Sequence, residues 1–251
     1  MSLDFNSAGA LRQKYSEGIK ASLEEELRRK EGLQPRREYV GASSLGHACT
    51  RSIQFEYAGA PRERERSVAL LRKAQFGHLS EAWSYQEFND AGFCLTQKRG
   101  DGELFKFSQL DGKLQGHPDG VFLWGPKVEG FNYPALWEHK GTGSKTFKGI
   151  VADGLRKSKP EYYTQVNLYM AYLGLTENPA VFTITNLDSG EQEHIRVEFD
   201  ADAAQRGSDR AVQVIQATEA GELLPRPFSD PSHFICRTRC NFRERCWRLP
   251  K

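Results

Sequence analysis

Residues 116–124, GHPDGVFLW, and residues 134–141, PALWEHKG, are two short apolar and aromatic runs, each carrying an acid near one end. Runs of this kind bounded by turn residues read as strands. Side chains alternate along a strand, so Glu138 and Lys140 share one face and His139 takes the other. If the two strands are neighbours, Asp119 and Glu138 converge on one hard cation, and carboxylate oxygens favour Mg²⁺ or Mn²⁺. Lys140, held beside them, would orient a nucleophilic water or stabilise charge building on phosphorus. Alone, Asp-Gly is a turn dipeptide, as at Asp111-Gly112 and Asp153-Gly154, and Glu-x-Lys is a solvated strand face. Their order and strand context together point to chemistry.

Working outward, the period changes on both sides. Leu11, Tyr15, Ile19, Leu23 and Leu27 recur every four positions and predict a helix over 7–31. Ser43 or Ser44 is placed to cap a second helix ending near Tyr57. A third, over 68–90, offers Leu71, Phe76, Leu79, Trp83 and Phe88 to a core. Residues 93–98, 103–108, 113–124 and 134–140 predict a meander of strands. EYYTQVNLYMAYLGL (161–175) is a helix with Tyr162, Val166, Tyr169 and Leu173 on one side. Strands at 180–186 and 192–199, a helix over 201–220 and an irregular, Pro-rich tail complete the chain. The class is α+β: a central mixed, mostly antiparallel sheet flanked by helices. One domain over 1–251 is expected, with an N-terminal helical part (1–60), a core (68–200) and a cysteine-rich tail (225–251).

Composition sets the bounds. A chain of 251 residues that is 38% hydrophobic and 11% aromatic can bury a sizeable core, which excludes extended disorder. No stretch approaches the roughly 18–20 consecutive apolar residues of a membrane span. The opening MSLDFNSAGA lacks a basic run followed by an apolar one, so no secretory leader is expected. A cytosolic location is expected, with the five cysteines outside a disulfide framework. The net charge is only +2, but it is segregated. Residues 61–73 hold five basic and two acidic groups, and residues 140–159 and 236–251 each hold six and one. Such windows suit a polyanion such as nucleic acid, unless they are solvated faces that never meet in space.

Two other patterns lead elsewhere. GTGSKT (141–146) has Ser144 where a phosphate-binding loop needs Gly before its Lys. His117 and His139 flank the carboxylates, but alternation turns His139 away from Glu138, which suits a supporting role better than zinc ligation. The cysteines are more informative. Cys236, Cys240 and Cys246 cluster in the tail, Cys49 lies far upstream, and Cys94 reads as a core thiol. Four thiolates hold either zinc or an iron–sulfur cluster. Arginines interleaved with Phe242 and Trp247 give the tail an edge suited to phosphates and bases.

Pro118-Asp119, a spacer, and Glu138-His139-Lys140 resemble the motif of the PD-(D/E)xK nuclease superfamily. FGHLSEAW (76–83) resembles the first motif helix of its RecB-like branch, with Glu81 as the third carboxylate; His78 is the alternative and its spacing from Gly77 fits less well. Gln165 and Tyr169 match the branch's Q-x-x-x-Y motif, four apart on one helix face. From GASSLGHACTR to SKPEYYTQVNLYM the chain looks most like phage-encoded exonucleases. One early and three late cysteines resemble the members carrying a [4Fe–4S] cluster, including CRISPR-adaptation nucleases and helicase–nuclease subunits. The family usually spaces its first two late cysteines by two residues, where this chain has three.

The resemblance implies a restriction-endonuclease-like core over 68–200 and a DNA exonuclease working in phage or prokaryotic DNA processing or recombination. An endonuclease, of restriction or CRISPR-adaptation type, and a non-catalytic nucleic-acid-binding module are the alternatives. It implies Glu81, Asp119, Glu138 and the His139 backbone carbonyl as ligands of Mg²⁺ or Mn²⁺, and Lys140 and Gln165 as positioners of the attacking water. Tyr169 is implied as a DNA contact; Lys145 and Lys148 lie in the basic stretch expected to line the DNA path. Cys49, Cys236, Cys240 and Cys246 are implied as cluster ligands that staple the tail to the N-terminal helices, with zinc as the alternative. DNA is the expected partner, with a recombination or single-strand-binding protein as the class of protein partner.

Overall fold

The structure is a computed structural model that describes residues 6–249, with side chains from residue 13 onward. It forms two compact units, Met1–Arg36 with Glu65–Gln75, and Arg37–Arg64 with Phe76–Lys251. The first unit holds helix α1 (Asn6–Gly32) and the opening turns of α3 (Val68–Asp90). Arg28–Glu65 at 2.8 Å and Arg66–Glu31 at 2.7 Å are ion pairs between its two segments. Exposed pairs of this kind contribute about 0–1 kcal/mol. The helical period of α1 is as expected, but Tyr15, Ile19 and Leu23 are exposed. Leu11 lies outside the described side chains.

The second unit is built on a five-stranded sheet in the order β2-β5-β6-β7-β8. These strands are Cys94–Thr96, Gly120–Trp124, Ala135–Thr142, Ala180–Asn186 and Gln192–Val197. The β6–β7 pairing is parallel and the others are antiparallel. This is the mixed, mostly antiparallel sheet expected. A single meander is not what forms, however. β1 (Val40–Gly41), β4 (Leu114–Gly116) and β3 (Phe107–Gln109) make a separate three-stranded sheet. The run 113–124 breaks at His117–Asp119, so its first half joins one sheet and its second half the other.

β6 lies at the centre: its apolar start, Ala135, Leu136 and Trp137, is inaccessible on both faces, and Glu138 and His139 after it are nearly so. Leu136 faces a core containing Val166, Leu168 and Met170 of α6 (Pro160–Leu173) and Val214 of α7 (Ala201–Glu219). Trp137 faces a second core, with Phe122, Leu95 and, from α3, Phe88. α6 starts with Pro at its first turn and stops at Gly174, whose φ of +69° is the left-handed conformation glycine adopts freely. α7 is capped by Asp200, which accepts from Ala203 N at 2.9 Å. Two local expectations fail. Ser43 and Ser44 lie in a short 3-10 turn, and Cys49 caps α2 (Thr50–Tyr57) instead. Phe76, Leu79 and Trp83 of α3 are exposed at 55%, 65% and 66% rather than packed. Among the described residues no helix is long and apolar enough to cross a membrane.

Candidate active site

Glu138 and Lys140 project from one face of β6, and the antiparallel register that pairs Gly120 with Trp137 brings the preceding Asp119 opposite Glu138. Asp119 Oδ2 accepts from His139 N at 2.8 Å and lies 3.8 Å from Lys140 Nζ. Lys140 Nζ also donates to Glu138 Oε1 and, at 3.0 Å, to the His139 carbonyl. The His139 ring points the other way, its Nε2 2.9 Å from Thr185 Oγ1. Burial keeps that imidazole neutral, its pKa pulled down to about 3.

Glu81 joins from α3. Gly141 of β6 makes the approach close: a Cβ there would stand 2.8 Å from Ser80 Oγ and 3.1 Å from the Gly77 backbone. Burial and the negative charge of Asp119 raise the Glu81 pKa to about 7. His78, the alternative ligand, is largely exposed and 3.8 Å from Glu81. Glu138 is 1% exposed, and burial, followed by Asp119, lifts its pKa to about 8. Burial pulls the Lys140 ammonium down, but Glu138 and Asp119 more than offset it, so its pKa lies above the ordinary lysine value. Thus one cation sits among three acids that repel one another.

Gln165 and Tyr169 lie behind this group, not on the surface. Gln165 Nε2 donates to Glu138 Oε1 at 2.7 Å and to the Tyr169 hydroxyl at 3.0 Å. Tyr169 is 3% exposed and packs edge-on against Phe107. Tyr162, one turn before Gln165, faces the site and was read in sequence only as part of an apolar stripe. Its ring lies 5.8 Å from Lys140 Nζ and 5.7 Å from Lys159 Nζ. Its spacing of three from Gln165 is the signal that could have found it.

The donors fit a hard divalent cation in chemistry. Asp119 and Glu138 meet at Lys140, and Glu138 Oε2 is buried without a hydrogen-bond partner, which is costly unless another group satisfies it. Among the described residues, no three His, Cys, Asp or Glu side chains stand in the spacing of an assembled ion site. Lys140 reaches into the space between Glu138 and Asp119.

Lys145 and Lys148 are exposed on α4 (Ser144–Asp153), which begins two residues after β6. The rest of the basic stretch is partly neutralised: Lys157 pairs with Asp153, Arg156 with Asp200 and Lys159 with Glu161. In the tail, Cys236, Cys240, Cys246 and the distant Cys49 are all buried and line one small cavity. The tail is not wholly irregular. Two short helices, α8 (Phe234–Thr238) and α9 (Arg243–Arg248), carry it, and Glu63 caps α9 by accepting from Glu244 N and Arg245 N at 2.8 and 2.7 Å. Phe242 N lies 3.4 Å from Cys240 Sγ, and the fully buried Arg51 is 3.9 Å from Cys246 Sγ. Burial raises the pKa of Cys49 to about 11 and lifts Cys236 and Cys240. Cys94, by contrast, is only half-buried.

No protein-family model and no curated protein matches the chain. Among solved structures it is similar to an alkaline exonuclease, LHK-Exo, from Laribacter hongkongensis. The TM-score is 0.51 at 18% identity, over 74% of this chain and 90% of that one. The structure of LHK-Exo in complex with dAMP matches with the same values. At that identity the likeness is one of fold: this chain has a restriction-endonuclease-like core, a central mixed sheet flanked by helices.

Proposed function

We propose that this chain is a metal-dependent deoxyribonuclease, an exonuclease hydrolysing phosphodiester bonds at the site of Asp119, Glu138 and Lys140. The observation that carries the reading is that Asp119 and Glu138, on adjacent strands, meet at Lys140, with Glu138 Oε2 buried and satisfied by no hydrogen bond. The likeness in fold to an alkaline exonuclease supports it. Glu81, Asp119, Glu138 and the His139 carbonyl would hold Mg²⁺ or Mn²⁺. When bound, such an ion acidifies water and offsets charge developing on phosphate. The residues of the chain supply the rest. Gln165 fixes the orientation of Glu138, Asp119 is fixed by the His139 amide, and Lys140 holds a positive charge where a phosphate oxygen would come to rest. Lys145 and Lys148 would contact the DNA backbone.

The cysteines belong to the same reading. Four buried thiols are arranged around a cavity, and four thiolates hold an iron–sulfur cluster or, as the alternative, zinc. Such a group would close the tail, 225–251, onto the part of the chain containing Cys49, within one nuclease domain.

Incubation with Mn²⁺ of end-labelled linear DNA and of closed circular DNA tests the activity. Loss from ends with intact circles is expected. Nicked circles would make the protein an endonuclease, and no cleavage of either would leave a binding module.

A further inference from the structure

Tyr162 is shared by two ammonium groups. Its ring lies 5.8 Å from Lys140 Nζ and 5.7 Å from Lys159 Nζ, and it stacks on Phe182 at 5.9 Å. Phe182 is fully buried and pairs with Glu138 in the β6–β7 register, which seats the ring one strand across from the central carboxylate. The ring is half-buried, and among the described residues its hydroxyl makes no hydrogen bond. The two lysines differ in their partners. Lys140 is held between Glu138 and Asp119, whereas Lys159 pairs with Glu161 at 3.4 Å. That distance exceeds the roughly 2.7–2.9 Å of a strong charge-assisted hydrogen bond, so a better anion can displace Glu161.

The backbone fixes this arrangement. Lys159 N donates to the Leu155 carbonyl at 2.8 Å, and the Lys159 carbonyl accepts from Tyr162 N and Tyr163 N at 3.0 and 3.1 Å. Pro160 follows in the first turn of α6. Lys159 and Tyr162 therefore belong to one joint, three residues apart. A loosely paired ammonium and a phenol hydroxyl without a partner are both donors of the kind that contact nucleic-acid phosphates. Lys140 stands where the phosphate under attack would rest. Lys159, against the same ring, is a second cation for the same strand.

We propose that Lys159 and the Tyr162 hydroxyl hold the phosphate next to the scissile one, with the Tyr162 ring as the spacer between the two positions. The proposal rests on the nuclease reading and names the part of the strand that the start of α6 holds.

Binding of a fluorescein-labelled linear duplex, followed by anisotropy over a range of salt concentrations, tests it in an Asp119→Asn background, where cleavage does not interfere. Lys159→Gln should weaken binding about tenfold and lower the slope of log affinity against log salt by about one. Tyr162→Phe, which keeps the ring and removes the hydroxyl, should weaken binding about threefold and leave the slope unchanged. Affinity and slope in Lys159→Gln equal to the parent's would overturn the proposal. If Lys159→Gln disturbs the start of α6, seen as a lowered Tm, Lys159→Arg decides: it should restore the slope, and a slope still lowered would overturn the proposal. A second duplex locates the contact. For a nuclease working from ends, the linkages second from each end neighbour the first to be cut, and here they are neutral methylphosphonates. On this duplex Lys159→Gln should cause no further loss, because the charge it meets is already gone; an undiminished loss would overturn the placement. A parent that binds with these dependences while the wild type cleaves nothing would remove the nuclease reading and leave the phosphate contact standing.

Discussion

Gln165 on α6 donates to Glu138 on β6 at 2.7 Å, so an amide buried beneath the site sets the direction of the carboxylate most central to it. Removing that donor leaves Glu138 with one partner fewer in a setting where it is 1% exposed. Groups that orient metal-site side chains typically contribute about 10–100-fold to affinity or activity. Gln165→Ala should therefore lower turnover and raise the Mn²⁺ concentration for half-activation within that range. Gln165→Glu, which adds a like charge, should be worse. Wild-type kinetics in Gln165→Ala would remove the amide from the account.

The raised carboxyl pKa values give the metal-free protein a pH dependence of definite sign. Glu81 and Glu138 titrate near 7 and 8 against an ordinary value of 4.5, so the folded state holds protons that the unfolded state releases. Their contribution to stability is full below about pH 4.5 and is lost as pH rises through 8. Melting in chelator should show Tm falling across that window. Mn²⁺ should restore it, with protons released on binding. Glu138→Gln should flatten the chelator profile, and an unchanged slope would mean that these groups are not coupled to folding as described.

Gly46 is a packing constraint on the same helix. A Cβ there would stand 2.2 Å from Glu161 Cα and 2.9 Å from its carbonyl carbon and oxygen. Gly46→Ala must displace the first turn of α6, at a cost of about 1–3 kcal/mol or more, and shift Gln165 with it. Stability and activity should fall together. Gly18→Ala, on a helix position with nothing within 4 Å, should be neutral or stabilising by about 0.5–1 kcal/mol. Equal melting temperatures for the two variants would contradict the packing argument.

Much of this was legible in the sequence, and what was hidden has a common cause. Strand alternation alone placed Glu138 and Lys140 together and His139 opposite, because the period of two holds wherever a strand forms. The helix over Pro160–Leu173 was equally plain from its apolar period, although the expected span ran two residues too far, through Gly174. The second sheet was not, since β1 is two residues long and pairs with a strand over seventy positions away, Val40 with Leu114. α3 misled for another reason: its apolar residues keep a helical spacing, yet Phe76, Leu79 and Trp83 face solvent while Phe88 packs. Period reports a face, not what covers it.

The four-cysteine site can be tested apart from catalysis. Protein purified without oxygen should contain iron and sulfide with a visible charge-transfer absorption, and Cys240→Ser should lose both and melt at a lower temperature. Zinc in place of iron would keep the staple and overturn the cluster. Metal-free protein with the stability of the wild type would overturn both.

The claim on which the rest depends is that one divalent ion sits among Glu81, Asp119 and Glu138. Anomalous scattering from crystals soaked in Mn²⁺ addresses it without any assay. A peak bounded by those three carboxylates and the His139 carbonyl, absent in Asp119→Asn, is the expected map; strong Mn²⁺ peaks elsewhere, with none in this pocket, would contradict it.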